Sequence, residues 1–296
     1  MHSTQRLLRR KNLLLVFDAF GTLYQPNSPI PTQYGKIGLR HGVDCQRGDD
    51  TGPLKNSFKR AFGEESAANP NYGKATGLGA EKWWANVITN TYQPFLNFGQ
   101  EVPQALISEL LTRYSTSEGY DMYPDVKPLF SMLRSKGAQA SIQPPWRWEK
   151  TVVGIITNSD DRVPGILESF GLKVGSRRVG SGAQRIASAS VDDDISFVVL
   201  SYDVGFEKPD RRIFDAATEM LRETLAESGE KAEKQDVDEF EKLYVGDSIE
   251  KDYLGAKRAG WDALVVDRQG THQDDEATKQ VDVIRNLGAL SRWSPR

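Results

Sequence analysis

The stretch Leu13-Leu14-Leu15-Val16-Phe17-Asp18-Ala19-Phe20-Gly21-Thr22-Leu23 decides the fold of this chain. Its first five residues are apolar without alternation, and they run directly into Asp18 and a Gly-Thr turn. Such a run predicts a strand that is buried on both faces of a parallel sheet. Ligands bind at the carboxyl ends of strands in open α/β sheets, where a carboxylate serves as a nucleophile, a metal ligand or both. The competing interpretation is an Asp that only caps the turn.

Composition excludes several classes of protein. With 296 residues, 38% of them hydrophobic and 27% charged, the chain suits one large globular domain or two of moderate size. A net charge of −3 argues against a nucleic-acid partner, and no apolar run approaches the roughly 20 residues that span a membrane. The single Cys45 rules out an internal disulfide and favours a reducing compartment, so we expect the cytoplasm. We interpret the basic residues within 1–11 as a solvated lead-in, with a mitochondrial presequence as the alternative.

A helical segment is expected directly after the first strand. Aromatic and aliphatic residues recur there at a spacing of three to four, over 32–42, 53–63, 79–93 and 101–116. Breaks rich in Gly and Pro separate these stretches. We therefore predict a helical subdomain at 25–119, inserted into a discontinuous α/β core that consists of 1–24 and 120–296.

The rest of the chain alternates strands with helices. Further strands are predicted at 151–156, 197–201, 243–245 and 263–266, each followed or preceded by a helix-length segment. This alternation predicts right-handed βαβ units and a parallel sheet. Three segments exceed what a short connection needs, and we interpret them as partly disordered surface insertions: 138–150, 173–195 and 227–240.

Polar residues suited to phosphoryl transfer follow four of the predicted strands: Asp18, Thr157 with Asn158, Lys208, and Asp247 with Asp252. In such a reaction a carboxylate attacks phosphorus, while a lysine and a cation offset the negative charge of the transferring group. Further carboxylates hold a hard divalent ion through oxygen. Each element alone is a weak signal, but the ordered series favours one shared site.

This series resembles the haloacid dehalogenase (HAD) superfamily of hydrolases. The four motifs of that superfamily are matched by Asp18-Ala19-Phe20-Gly21-Thr22-Leu23, Thr157-Asn158, Lys208-Pro209, and Gly246-Asp247 with Asp252. The match covers about 12 to 24 and about 120 to 268, and the inserted helices stand where the family carries its C1 cap. The resemblance implies a Rossmann-like α/β core, a parallel sheet flanked by helices, and a small phosphorylated substrate.

The resemblance also implies a Mg²⁺ site. Asp18 would be both the nucleophile and a metal ligand, and Asp247 would be the other principal carboxylate on the ion. Asp252 would be a further ligand or a partner of the ligands. The backbone carbonyl of Phe20 would complete the protein's share.

The remaining motif residues would act on the phosphoryl group. Thr157 would bind it by a hydrogen bond, and Lys208 would offset its charge and orient Asp18. Asn158 belongs to the same catalytic set, and Gly21 and Thr22 join these residues in substrate binding.

Phe20 departs from the family pattern. Phosphatases of this family usually carry a second Asp at that position, which protonates the leaving group and then activates water. A positioned acid or base typically contributes about 10²–10⁴ in rate. A hydrolase with Phe20 would favour an activated leaving group, or would borrow an acid or base from the cap, such as His41, Glu81 or Lys82.

Three hypotheses therefore remain open. The first is a Mg²⁺-dependent hydrolase of a small phosphorylated metabolite. The second is a non-catalytic or regulatory protein that keeps the metal and phosphate site. The third is a 2-haloacid dehalogenase, because those enzymes also carry an aromatic residue two positions after the nucleophile. Against the third stands Asp247, since an extra carboxylate repels a carboxylate substrate unless a cation is bound.

Overall fold

The computed structural model describes residues 12–45, 50–135, 146–180, 193–227, 237–271 and 280–295. The chain divides into two compact units. The first comprises Met1–Tyr24, Tyr123–Asn158 and Leu172–Arg296, and the second comprises Gln25–Met122 and Ser159–Gly171.

The strands are β1 Asn12–Phe17, β2 Tyr24–Pro26, β3 Tyr120–Met122, β4 Lys150–Thr157, β5 Phe197–Leu200, β6 Phe240–Gly246, β7 Asp262–Val266 and β8 Val283–Ile284. The helices are α1 Ile30–Arg40, α2 Gly52–Ala68, α3 Ala80–Tyr92, α4 Gln104–Arg113, α5 Val126–Arg134, α6 Val163–Ser169, α7 Ser201–Val204, α8 Arg211–Glu227 and α9 Gly255–Arg258. A π-helical turn, Ile249–Leu254, leads directly into α9.

A six-stranded parallel sheet forms the centre of the first unit. Its order is β5-β4-β1-β6-β7-β8. The first strand lies between β4 and β6, where Leu15 is paired with Val153 on one side and Leu243 on the other. The apolar run 13–17 is fully buried, because helices cover both faces of a parallel sheet. The predicted α/β class and parallel sheet are confirmed.

The long helix α8 begins with a side-chain hydrogen bond to its first turn. Asp210 precedes α8, and its Oδ1 accepts the backbone N–H of Arg212 at 2.9 Å. A side-chain acceptor at this position satisfies one of the helix's unpaired N–H groups. The helix then packs Ile213, Phe214 and Ala217 into the core of the sheet.

The second unit is helical and rich in aromatic contacts. Tyr34 of α1 stacks on Tyr92 of α3 with ring centroids 5.9 Å apart, and the Tyr92 hydroxyl donates to the Tyr34 carbonyl at 2.7 Å. Trp83 is buried, and its indole N–H donates to the Asn69 carbonyl at 2.9 Å. This unit contains the whole predicted segment 25–119; its role as a cap stays a prediction.

A buried ion pair also belongs to the second unit. Arg162 donates from Nε to Asp160 Oδ1 and from Nη2 to Asp160 Oδ2, both at 2.8 Å. The indole N–H of Trp84 donates to the same Oδ2 at 2.8 Å, and the guanidinium lies 4.4 Å from the Trp84 ring centroid. Burial opposes ionisation of Asp160, but Arg162 and the indole N–H hold its pKa below the usual range. One carboxylate is thus matched by one cation.

The predicted surface insertions fall largely outside the described residues, as do the basic residues of 1–11. Where the three segments are described, the surface prediction is wrong, because each contains buried residues: Trp146 and Trp148, Arg177, and Phe240. The indole N–H of Trp146 donates to Thr151 Oγ1 at 2.8 Å, and Trp148 stacks on Trp293 at 5.8 Å. Large aromatic side chains are stabilised most by removal from water.

Within the described ranges, no helix is both long and apolar enough to cross a membrane.

Candidate active site

The strand ends bring three carboxylates together. Asp18 follows β1, Asp247 follows β6, and Asp252 lies one turn further on the π-helical segment. One oxygen of each lies within 4.8 Å of the others. Because β1 and β6 are parallel neighbours, their carboxyl ends meet at the same edge of the sheet.

Lys208 joins two of these carboxylates. Its Nζ donates to Asp18 Oδ1 and to Asp252 Oδ1, both at 2.7 Å, and to the hydroxyl of Tyr244 at 2.8 Å. A lysine ammonium has three N–H donors, and here all three are used. Burial alone would lower the pKa of Lys208, but Asp18 and Asp252 raise it above its usual value, so the side chain carries its charge.

Negative charge exceeds positive charge in this cluster. Burial raises the pKa of Asp18 to about 6 against the opposing effect of Lys208, and the neighbouring Asp252 and Asp247 raise it further. The pKa of Asp247 is also raised, first by burial and then by Asp252. One ammonium is therefore set against three carboxylates.

Two glycines allow the carboxylates to approach the backbone. Gly21 has a φ of +81°, and a Cβ at this position would lie 2.3 Å from Asp247 Oδ2. A Cβ on Gly246 would lie 2.3 Å from Asp252 Cγ. The Asp252 carboxylate is fixed further by the backbone N–H of Ser248, which donates to Oδ2 at 2.9 Å. Both glycines are therefore required by close packing.

Asn158 holds the backbone of Lys208. Its Oδ1 accepts the Lys208 N–H at 2.7 Å, and its Nδ2 donates to the Lys208 carbonyl at 3.0 Å. The Lys208-Pro209 peptide bond is cis. Asn158 thus orients the lysine, and its contact with a substrate stays a prediction. The buried Thr157 hydroxyl has no hydrogen-bond partner among the described residues, which leaves it available for a phosphoryl oxygen.

The other residues of motif one differ in exposure. Phe20 exposes 48% of its surface, and its ring meets Tyr24 edge-on at 6.2 Å. Thr22 is fully buried, and within the described ranges its Oγ1 has no partner. The predicted metal contact of the Phe20 carbonyl, and the substrate contacts of Gly21 and Thr22, stay predictions.

The acid–base candidates in the helical unit also stay predictions. The ring Nε2 of His41 lies 2.6 Å from Glu109 Oε2, so this histidine is already engaged by a carboxylate. Glu81 and Lys82 are exposed on the first turn of α3.

Tyr244 is a site residue that the sequence analysis missed. Its buried hydroxyl accepts from Lys208 and donates to the Ile156 carbonyl at 2.8 Å. Within β6, the tyrosine is indistinguishable by pattern from the apolar neighbours Leu243 and Val245. The one available signal was a hydroxyl two residues before the Gly246-Asp247 turn.

The donor set fits a hard divalent cation. All three ligand candidates offer carboxylate oxygens, which Mg²⁺ prefers over nitrogen or sulfur. The surplus negative charge, with two carboxyl pKa values raised by crowding and burial, is the electrostatic condition that a divalent cation relieves.

A family model described as haloacid dehalogenase-like hydrolase matches residues 13–260. The chain belongs to this family of hydrolases. Its relatives include haloacid dehalogenase-like hydrolase domain-containing protein 3 of Mus musculus, which is 26% identical over 86% of this chain and 81% of the relative.

Two solved structures share the fold. A 2-haloacid dehalogenase from Pseudomonas syringae superposes with a TM-score of 0.53 and 18% identity, over 95% of this chain and 99% of that one. A HAD phosphatase from Thermococcus onnurineus gives a TM-score of 0.50 and 22% identity, over 95% and 96% of the two chains. At such identities the likeness concerns the fold alone.

Proposed function

We propose that this hydrolase is a Mg²⁺-dependent phosphatase that acts on a small phosphorylated metabolite through an aspartyl phosphate at Asp18. The observation that carries the proposal is the buried contact of Lys208 with Asp18 and Asp252, beside an Asp247 oxygen that lies within 4.8 Å of both carboxylates. A phosphoryl group carries several negative charges, so its site needs positive charge beside the nucleophile.

Each residue of the cluster has a separate role in the proposed phosphoryl transfer. Asp18 Oδ1 is held by Lys208, which leaves Oδ2 to attack phosphorus while the bond to the leaving oxygen breaks. Lys208 offsets charge on the transferring group, and the Thr157 hydroxyl donates to one of its oxygens. Asp18, Asp247 and Asp252, together with the Phe20 carbonyl, would hold Mg²⁺, which when bound supplies charge stabilisation at the phosphoryl oxygens.

Charge also separates this proposal from the dehalogenase alternative. The two solved neighbours are titled as a dehalogenase and a phosphatase, so the fold favours neither. A haloacid brings its own carboxylate to a cluster that already has three carboxylates and one ammonium. That encounter is repulsive, whereas a cation bound by the cluster attracts a phosphate.

The non-catalytic alternative draws support from Phe20, whose ring cannot transfer protons. The location of the protein is a separate proposal. The free, buried Cys45 favours a reducing compartment, and we propose the cytoplasm.

Hydrolysis of p-nitrophenyl phosphate with and without Mg²⁺ tests the proposal, because this leaving group needs little protonation. We expect Mg²⁺-dependent turnover that Asp18→Asn abolishes without loss of the fold. The matched control is Asp121→Asn, which changes an exposed Asp on β3 and keeps activity. A folded protein that binds Mg²⁺ without any turnover would leave the non-catalytic alternative standing.

A further inference from the structure

Phosphoryl transfer through Asp18 requires two proton movements besides the attack itself. The leaving oxygen must gain a proton unless it is already a stable anion, and the water that later attacks phosphorus must lose one. Any group that performs either task must have a transferable proton or a free lone pair beside Asp18. The inference that follows rests on the proposed function and extends it to the two separate steps.

The proton-bearing groups of this site are all engaged in binding. The Thr157 hydroxyl donates to a phosphoryl oxygen in the proposed function, and the other two groups hold Asp18. Lys208 directs its three N–H bonds at Asp18, Asp252 and Tyr244. The Tyr244 hydroxyl accepts from this ammonium and gives its own proton to the Ile156 carbonyl at 2.8 Å. Each of these groups holds the nucleophile in place, and none is left over to act on substrate or water.

The acidic groups are committed in the same way. Asp252 accepts from Lys208 through Oδ1 and from the Ser248 backbone N–H through Oδ2. An oxygen of Asp247 lies within 4.8 Å of an oxygen of each of the other two carboxylates, and Asp247 would hold the cation with them. Phe20, two residues after the nucleophile, is about half exposed, but its side chain offers only hydrocarbon. In the described part of the first unit, the surroundings of Asp18 therefore bind a phosphoryl group without moving protons.

The lack of a proton donor or acceptor beside Asp18 affects the two steps differently. The first step is transfer of the phosphoryl group to Asp18, and the second is hydrolysis of the aspartyl phosphate. A substrate can avoid the first proton transfer by having a leaving group that is stable as an anion, such as a carboxylate or a phenolate. No choice of substrate avoids the second, because the attacking water is the same for every substrate.

We propose that Asp18 takes its phosphoryl group from acyl or aryl phosphates and that the aspartyl phosphate then accumulates. In the first step Asp18 Oδ2 bonds to phosphorus as the bond to the leaving oxygen breaks, and that oxygen departs as an anion. In the second, water bonds to phosphorus, the bond to Asp18 breaks, and the proton of water passes to the released phosphate or to solvent. Hydrolysis of the phosphorylated enzyme is the slow step.

Rapid mixing of the full-length protein with p-nitrophenyl phosphate and Mg²⁺ tests this directly. We expect a burst of about one p-nitrophenolate per protein before slow turnover, and a phosphoryl group on Asp18 by mass spectrometry of the quenched protein. Acetyl phosphate should label the same residue. An alkyl phosphate such as glycerol phosphate should react slower by about 10²–10⁴, the usual contribution of a positioned acid.

Variants separate the two steps. Phe20→Asp should raise steady-state turnover and remove the burst, because a carboxylate then reaches the water. Phe98→Asp makes the same change at a fully exposed ring in the second unit and should leave the burst intact.

Failure of the inference differs from failure of the phosphatase proposal. Mg²⁺-dependent turnover without a burst, with alkyl and aryl phosphates equally good, overturns the inference and leaves the phosphatase in place. A folded, Mg²⁺-bound protein that neither turns over nor becomes phosphorylated by any donor overturns both.

Discussion

Two buried carboxylates in this protein have pKa values that are shifted in opposite directions. Asp160, in the second unit, has a lowered pKa, whereas Asp18, in the first, has a pKa raised to about 6. Both are buried and both contact a cation at 2.7–2.8 Å. The difference is the balance of charge: Arg162 faces Asp160 alone, while Lys208 is shared among several carboxylates. The pair of Asp160 and Arg162 is electrically neutral. The cluster around Lys208 has excess negative charge, which a further cation would neutralise.

Removal of Lys208 should give the largest effect. Lys208→Met leaves the carboxylates without their ammonium, so we expect turnover to be lost and the free energy of unfolding to fall by about 3–5 kcal/mol, as for other broken buried pairs. Denaturant unfolding and p-nitrophenyl phosphate assays measure both. The exposed Lys127 provides the control, because Lys127→Met should change neither. Equal stability of Lys208→Met and the wild type at neutral pH would contradict the surplus-charge account.

Removal of Arg162 should be costly for stability in a pH-dependent way. Arg162→Met leaves Asp160 buried without its cation, which costs about 3–5 kcal/mol at neutral pH. A carboxyl whose pKa is lowered by folding contributes stability above its unfolded pKa and loses it as the pH falls through the folded value. The gap between variant and wild type should therefore narrow on acidification below about 4.

Thermal melts across a pH series measure that gap. Arg212→Met removes the cation from the exposed pair with Asp210 and should have little effect at any pH. A gap for Arg162→Met that stays constant between neutral and acidic pH would show that the guanidinium acts by packing on Trp84 rather than by its charge.

Loss of one hydroxyl at Tyr244 should give the smallest effect. Tyr244→Phe frees the third N–H of Lys208, and the Ile156 carbonyl, 3.3 Å from Nζ, partly replaces the lost acceptor. We expect about 1 kcal/mol less stability and a kcat lower by about tenfold, with KM little changed.

Tyr253→Phe is the matched control for this change. Its hydroxyl donates to the Gln280 carbonyl at 3.1 Å, so its loss should cost similar stability and leave kcat unchanged. If both variants lose stability but neither loses kcat, Tyr244 supports the fold and does not position Lys208.

Much of the architecture could be predicted because burial leaves a simple pattern. The apolar run 13–17 has no alternation, as expected for a strand covered on both faces, and the Gly-Asp turn marks the end of β6. Two-residue β8, paired to β7 only at Val265 and Val266, carries too little pattern to be found. The π-helical turn before α9 could not be predicted from the sequence either, because i→i+5 hydrogen bonding gives no recognisable periodicity within six residues.

The clustering of the candidate site residues was predictable, but the hydrogen bonds among them were not. The spacing of Asp18, Lys208 and Asp247 after strand ends indicated a cluster. It did not reveal that Asn158 uses its amide on the Lys208 backbone. It also hid Tyr244, because a tyrosine in a buried strand has the hydrophobic pattern of any other core residue. Hydrogen bonds between distant segments leave no trace in local periodicity.

The central place of β1 in the sheet has a consequence for how the protein folds. This strand is synthesised long before its partner β6, yet Phe17 pairs with Val245 as well as with Ile155. Contacts between such distant segments carry a high entropic cost of loop closure, and proteins dominated by them fold slowly. One edge of β1 can pair with β4 once residue 157 has been made, but the other edge stays unpaired until β6 has been synthesised. The cluster of Asp18, Asp247 and Asp252 is therefore complete only after β6 and the turn that follows it have formed.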